Sequence, residues 1–362
     1  MRFLHLTLLY CVLSVFFSVP SLEYYPSSKT TNLTSITANP TTANEVEAGA
    51  TNIIFQSKDG GQTWQDISLS LPENEPPQVF FAGESDIYLR VKNVMYRSKS
   101  NLETPVWEKE NVPGLESAST SLALNRSGMM AYNYEGQVYK RIAVNGTWLP
   151  IYTNFKKHGM LNIFESSNGS VFFAYDRGLG LYKLSDKGTN WKQVQNEGWV
   201  GRIVESEGVL LATGEKGIMR STDKGEHWEW VISEGGVGIA VERIEGGFAA
   251  ITYNTKTKTR RMRFSTDEGK TWKAIDEGLR SSSSITSVKQ LGHYLICGHP
   301  DGIFRSSDMG KTWHSVLASV YKDVINYGAM WNVVDAYYAD KKVFTIYVSG
   351  NTLYAVANNA GC

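Results

Sequence analysis

The sequence has little cysteine, no excess of either charge and few long apolar runs. Its three cysteines are Cys11 in the N-terminal apolar stretch, Cys297 and Cys362, too few for a disulfide scaffold. Lys plus Arg number 36 and Asp plus Glu number 36. The summed field that draws a protein onto nucleic acid or an anionic membrane is therefore missing, and no nucleic-acid partner is expected. Six histidines show no helical or short metal-binding spacing, and neither a phosphate loop, a nucleotide fingerprint nor a nucleophile elbow occurs. No metal and no cofactor are expected. What is abundant is aromatic and turn-forming: 10 Trp, 19 Tyr, 14 Phe and 33 Gly, the composition of an all-β protein in which rings fill sheet faces and glycine marks turns.

The chain opens with Arg2, an apolar stretch over 3–17 and the small residues Ser18 and Ser21. That pattern reads as an export signal over 1–21, with a periplasmic, cell-surface or secreted product and no transmembrane segment left after cleavage. The competing reading is an uncleaved anchor, since 3–21 is just long enough to span a bilayer. Residues 22–52, dominated by Ser, Thr, Asn, Pro and Ala, are too polar to bury a core and read as a flexible leader. Asn32, Asn125, Asn145 and Asn168 each open an Asn-x-Ser/Thr tripeptide, which matters only in a eukaryotic secretory pathway.

From residue 53 onward the sequence repeats. Five segments align without gaps on an Asp, a Gly two places on and a Trp five places on: Asp59, Gly61, Trp64; Asp186, Gly188, Trp191; Asp223, Gly225, Trp228; Asp267, Gly269, Trp272; Asp308, Gly310, Trp313. The Asp positions are separated by 127, 37, 44 and 41 residues, and 127 is three steps of about 42, the length of a propeller blade. Two eroded copies fill the gap, 95–98 leading to Trp107 and 138–141 leading to Trp148. In each box the Asp is expected to accept N–H groups two residues on. The Gly supplies a positive φ, and the Trp starts the returning strand with its ring available for burial.

Between boxes the pattern is two alternating strands, a Gly turn and a third strand entering the next box, so that four strands A to D make a blade. Seven A–B pairs occur near 78–91, 119–134, 160–175, 201–213, 237–253, 285–298 and 343–357. The expected fold is one all-β domain over 53–362, a monomeric seven-bladed β-propeller of four-stranded antiparallel blades. Its last blade takes strands A and B from 343–357 and strand C from 53–56, closing the ring without open sheet edges.

The box strings resemble the bacterial neuraminidase repeat superfamily, also called Asp-box propellers, which includes sialidases, sortilin-type receptors, two-propeller xyloglucan hydrolases and photosystem assembly factors. The resemblance covers 53–362 and implies the fold, not an activity. A sialidase would carry a Phe/Tyr-Arg-Ile-Pro motif before the first box, three arginines for a carboxylate, an acid/base Asp and a Tyr nucleophile assisted by Glu. No Arg-Ile-Pro occurs here, and no Arg lies between Ser21 and Asp59.

Topology puts A–B and C–D turns on one face, and B–C and D-to-next-A connections on the other, where a site is expected. On that second face fall Lys156, Lys157 and His158; Asp176 and Arg177; Tyr253 with Lys256, Lys258, Arg260 and Arg261; His299 and Asp301; and an insertion over 318–342 holding Tyr321, Tyr327, Trp331, Tyr337 and Tyr338. Loop aromatics of this kind stack on sugars or anchor a protein partner; the competing reading is an insertion packed on its own propeller. Lys256 to Arg261 read most simply as a solvated hairpin tip. Arg202, Glu205, Glu242, Arg243 and Lys289 sit on A strands and are expected to line the central channel as ion pairs. The sequence thus points to a non-catalytic exported propeller that binds a protein or glycan. A sialidase-type exo-glycosidase with a diverged site is the alternative, and a photosystem or cytochrome assembly factor a third reading.

Overall fold

A computed structural model describes residues 53–72, 77–113, 120–142, 146–151, 159–175, 178–184, 190–233, 235–318 and 342–359. Among them lie seven four-stranded antiparallel sheets. Six are simple meanders; blade 4, for example, runs Val200–Ser206, Val209–Gly214, Gly217–Ser221 and Glu229–Ile232. The seventh takes A and B from Lys342–Ser349 and Thr352–Asn359, and C and D from Ile54–Ser57 and Gln65–Asp66. Register Phe55↔Ala355 joins the two ends, as the repeat count required.

The ring closes because each sheet is buried on both faces, so its central strands read as continuous apolar runs. Phe172 packs toward blade 4 and its neighbour Phe173 toward blade 2; Leu210 and Leu211 divide in the same way between blades 3 and 5. Period-two alternation thus feeds two interfaces from one strand. Seven apolar clusters result, one at each seam, including the seam of blade 7 with blade 1 around Tyr354 and Phe80.

The boxes work as turns, with a correction to their bonding. Asp59 Oδ1 accepts the N–H groups of Gln62 and Thr63, three and four residues on, and Oδ2 accepts Thr63 Oγ1 at 2.6 Å. A turn of two left-handed residues carries the chain further round than one, so the carboxylate meets later amides. Gly61, Gly225, Gly269 and Gly310 hold φ between 80 and 84°, and the residues before three of them, Lys224, Glu268 and Met309, are left-handed too. The serine two places before the Asp also takes part: Ser57 Oγ donates to Asp59 and accepts the Gly61 N–H. Asp186 and Gly188 lie outside the described residues.

Each box Trp joins the cluster shared with the preceding blade: Trp64, Trp191, Trp228, Trp272 and Trp313 all do so. Trp107 and Trp148 take the same place in the two eroded blades. A charge network joins these two blades. Glu110, nearly buried, pairs with Arg97 of its own blade at 3.2 Å and with Arg141 of blade 2 at 3.0 Å, and it accepts the Trp148 Nε1–H.

Candidate functional site

On the face of the B–C turns, a cleft of about 190 Å³ opens between blades 4 and 5. Its floor is bare backbone. A β-carbon on Gly217 would lie 1.8 Å from the Ile232 carbonyl, and one on Gly236 would lie 1.5 Å from that of Tyr253. The walls are Thr252, Asn254 and the Tyr253 backbone from strand Gly247–Asn254, Thr257 at the hairpin tip, and Thr259, Arg261 and Arg263 from strand Thr259–Ser265. Strand alternation explains the selection: 259, 261 and 263 share the cleft side, while Arg260 and Met262 turn into the core. Arg261 is held by a two-pronged pair with Asp276, Nε to Oδ2 and Nη2 to Oδ1, both at 2.8 Å. Arg263 Nη1 donates to Thr252 Oγ1.

Tyr253, paired with Arg260, turns its side chain toward blade 6 and not into the cleft. Arg261 lies exposed on the face where the sequence placed it. Arg260 does not. It is 7% exposed within a strand, its N–H and Nη1 donate to the Ser282 and Ile285 carbonyls at 2.7 Å, and burial pulls its guanidinium down to about 10. The tip is the turn after Asn254, carrying exposed Lys256 and Lys258. A run of cations on a β-strand is split between two faces, which the reading as one solvated tip ignored.

His299 is also corrected, being fully buried. Its Nε2 lies 2.8 Å from the Arg280 carbonyl, which can only accept, and its Nδ1 accepts the Asp301 N–H. The ring is thus a neutral clip between two loops that Arg280 and Asp301 also join by a two-pronged ion pair. Tyr321, Tyr327, Trp331, Tyr337, Tyr338 and Arg177 lie outside the described residues, as do Lys156, Lys157, His158 and Asp176. The flanks of the insertion do lie on this face: Ala318 pairs with Gly302 beside the B–C turn of blade 6, and Lys342 opens the A strand of blade 7. Arg263, Thr252, Thr257 and Thr259 were missed, although stepping by two from Arg261 finds Arg263 and Thr259.

The channel is lined by the seven A strands. One register position on them, paired with Tyr88, Met130, Phe172, Leu211, Ala249, Ile296 and Tyr354 on the B strands, is held in blade order by Phe81, Ala123, Phe164, Val204, Glu242, Lys289 and Tyr347. Five of these carry no charge; Glu242 and Lys289 are the exceptions. Arg202, two residues before Val204 and so nearer the B–C face, donates from Nη2 to Glu242 Oε2 at 3.0 Å, and Lys289 Nζ donates to Oε1. The expected channel ion pairing thus joins three successive blades. Glu205 instead accepts Ser167 on the opposite face.

Among the described residues no group of three or more His, Cys, Asp and Glu could hold a metal ion, and no helix is long and apolar enough to cross a membrane. Cys297 is a buried free thiol, its pKa pushed up by burial.

No family model and no curated protein matches the sequence. The fold is similar to a streptogramin B lyase, with TM-score 0.54 and 15% identity over 84% of this chain and 98% of that one. A virginiamycin B lyase from Staphylococcus aureus gives 0.52 and 11% over 84% and 99%. An oligogalacturonate lyase from Vibrio parahaemolyticus gives 0.51 and 10% over 85% and 98%. At such identities the likeness is one of fold alone, and that fold is the seven-bladed β-propeller.

Proposed function

We propose that this protein is an exported, non-catalytic binding or assembly propeller that recognises a protein or glycan through the face of the B–C turns, to which segment 319–341 attaches. The observation that carries this reading is the blade 4/5 cleft on that face. It offers hydroxyl and amide groups (Thr252, Thr257, Thr259, Asn254) and two pre-positioned guanidinium groups beside a glycine backbone, groups with which proteins hold polar ligands. A glycan array and a pull-down from exported proteins, run with the wild type and a Thr259→Ala/Arg263→Ala variant, test it. Loss of at least tenfold in bound signal is expected; equal binding by both would remove the cleft from the reading.

The sialidase-type alternative draws on one observation, that Tyr347, Glu242 and Arg202 all stand on A strands around the channel. Burial pushes the Tyr347 hydroxyl up to about 12, the opposite of what a tyrosine nucleophile needs. Turnover of a fluorogenic sialoside, abolished by Tyr347→Phe, would replace binding with catalysis.

A further inference from the structure

Two cations share one carboxylate in the channel. With Arg202 on Glu242 Oε2 and Lys289 on Oε1, the cluster carries one positive charge in excess, and the other five positions of the ring supply no anion. Burial first, then the Arg202 charge, pull the Lys289 amine down to about 8 although Glu242 is beside it. The cluster is short of negative charge. The Arg202 side chain is 51% exposed, and its guanidinium has five N–H donors. Among the described residues only Nη2 meets a protein acceptor.

We propose that Arg202 and Lys289 form a binding site for one carboxylate group of a small ligand entering the channel from the B–C face. Arg202 is met first from that side. The charge count selects the ligand: a monoanion balances the excess, whereas a phosphate dianion would leave a net negative charge beside the Glu242 carboxylate. Glu242 is then the internal rival of the ligand, occupying Nη2 of Arg202 and the amine of Lys289. This site is separate from the blade 4/5 cleft, and either can fail without the other.

Calorimetric titration of the full chain at pH 7 with D-glucuronate, N-acetylglycine, inorganic phosphate and D-glucose tests the site. Binding of a carboxylate, with phosphate at least tenfold weaker and glucose silent, is the expected result; glucuronate against N-acetylglycine distinguishes a sugar acid from an amino-acid-like source. Arg202→Gln, at a half-exposed position that folding tolerates, should weaken carboxylate binding at least tenfold. Lys311→Gln, at an exposed position in a box turn on the opposite face, should leave it unchanged. Glu242→Gln should tighten it several-fold by removing the rival, an effect that a merely structural ion pair would not give. Phosphate binding as tightly as carboxylate, no carboxylate binding by the wild type, or unchanged binding in Arg202→Gln would each overturn the proposal; so would weaker binding in a folded Glu242→Gln protein.

Discussion

Gly225 of the blade 4 box lies against the Phe172 ring of blade 3, so close that a β-carbon there would fall 2.5 Å from two ring carbons. The same relation recurs where Gly269 meets Leu211 and Gly310 meets Ile275, each on the preceding blade. The box glycine thus answers two demands at once, a left-handed turn and a close approach across a seam.

Gly225→Ala is expected to cost about 2–5 kcal/mol, the left-handed penalty of about 1–2 plus overpacking of about 1–3. Gly169, with φ 84° and nothing within 4 Å of a β-carbon, isolates the first part, so Gly169→Ala should cost about 1–2 kcal/mol. Urea denaturation of the two variants checks the difference. Equal losses would mean that the seam contact contributes nothing.

Trp148→Ala should destabilise by about 3–5 kcal/mol, as much as Trp228→Ala, although blade 2 has lost its Asp. The Trp148 ring is buried against blade 1, and seam burial rather than turn chemistry sets its worth. A loss under about 1 kcal/mol by chemical denaturation would show blade 2 to be held otherwise.

Glu110→Gln should cost about 1–3 kcal/mol, because Arg141 and the Trp148 N–H lose a nearly buried carboxylate, while Arg97 keeps Asp86 and Glu108. Thermal melting in low and high salt gives the readout. A buried origin predicts that the deficit persists in 1 M salt, whereas a surface pair would be screened.

Acid should weaken the boxes in a defined window. Bonds from the Thr312 hydroxyl and N–H hold Asp308 at about 2 against an ordinary 3.8; in Asp59 burial opposes the shift, but bonds from Thr63 and Ser57 outweigh it and reach about 2 as well. A carboxylate lowered in the folded state stabilises fully above its unfolded value and loses that contribution as pH falls through the folded one. Stability should therefore fall between about pH 4 and pH 2. Asp308→Asn should destabilise at pH 6 and matter less at pH 2; an equal effect at both would contradict the assigned bonding.

By itself the sequence determined the seven-fold count, the split blade and the position of the four boxes at Asp59, Asp223, Asp267 and Asp308. These features rest on local chemistry: a short acid, a left-handed glycine and a ring at fixed spacing dictate a turn wherever they occur, and period-two alternation dictates two buried faces. It also placed Arg202, Glu242 and Lys289 on inner strands, where the structure finds them joined. Tertiary structure alone decided which neighbour each side chain meets. His299 and Arg260 look like surface groups until strand register turns them inward, and Arg263 becomes part of a cleft only because blade 4 brings a bare glycine backbone opposite it. The excess charge at Arg202 likewise needs three blades, separated by about forty residues each along the chain, to bring two cations to one carboxylate. Pairing across such distances is fixed by closure of the ring, which no local pattern encodes.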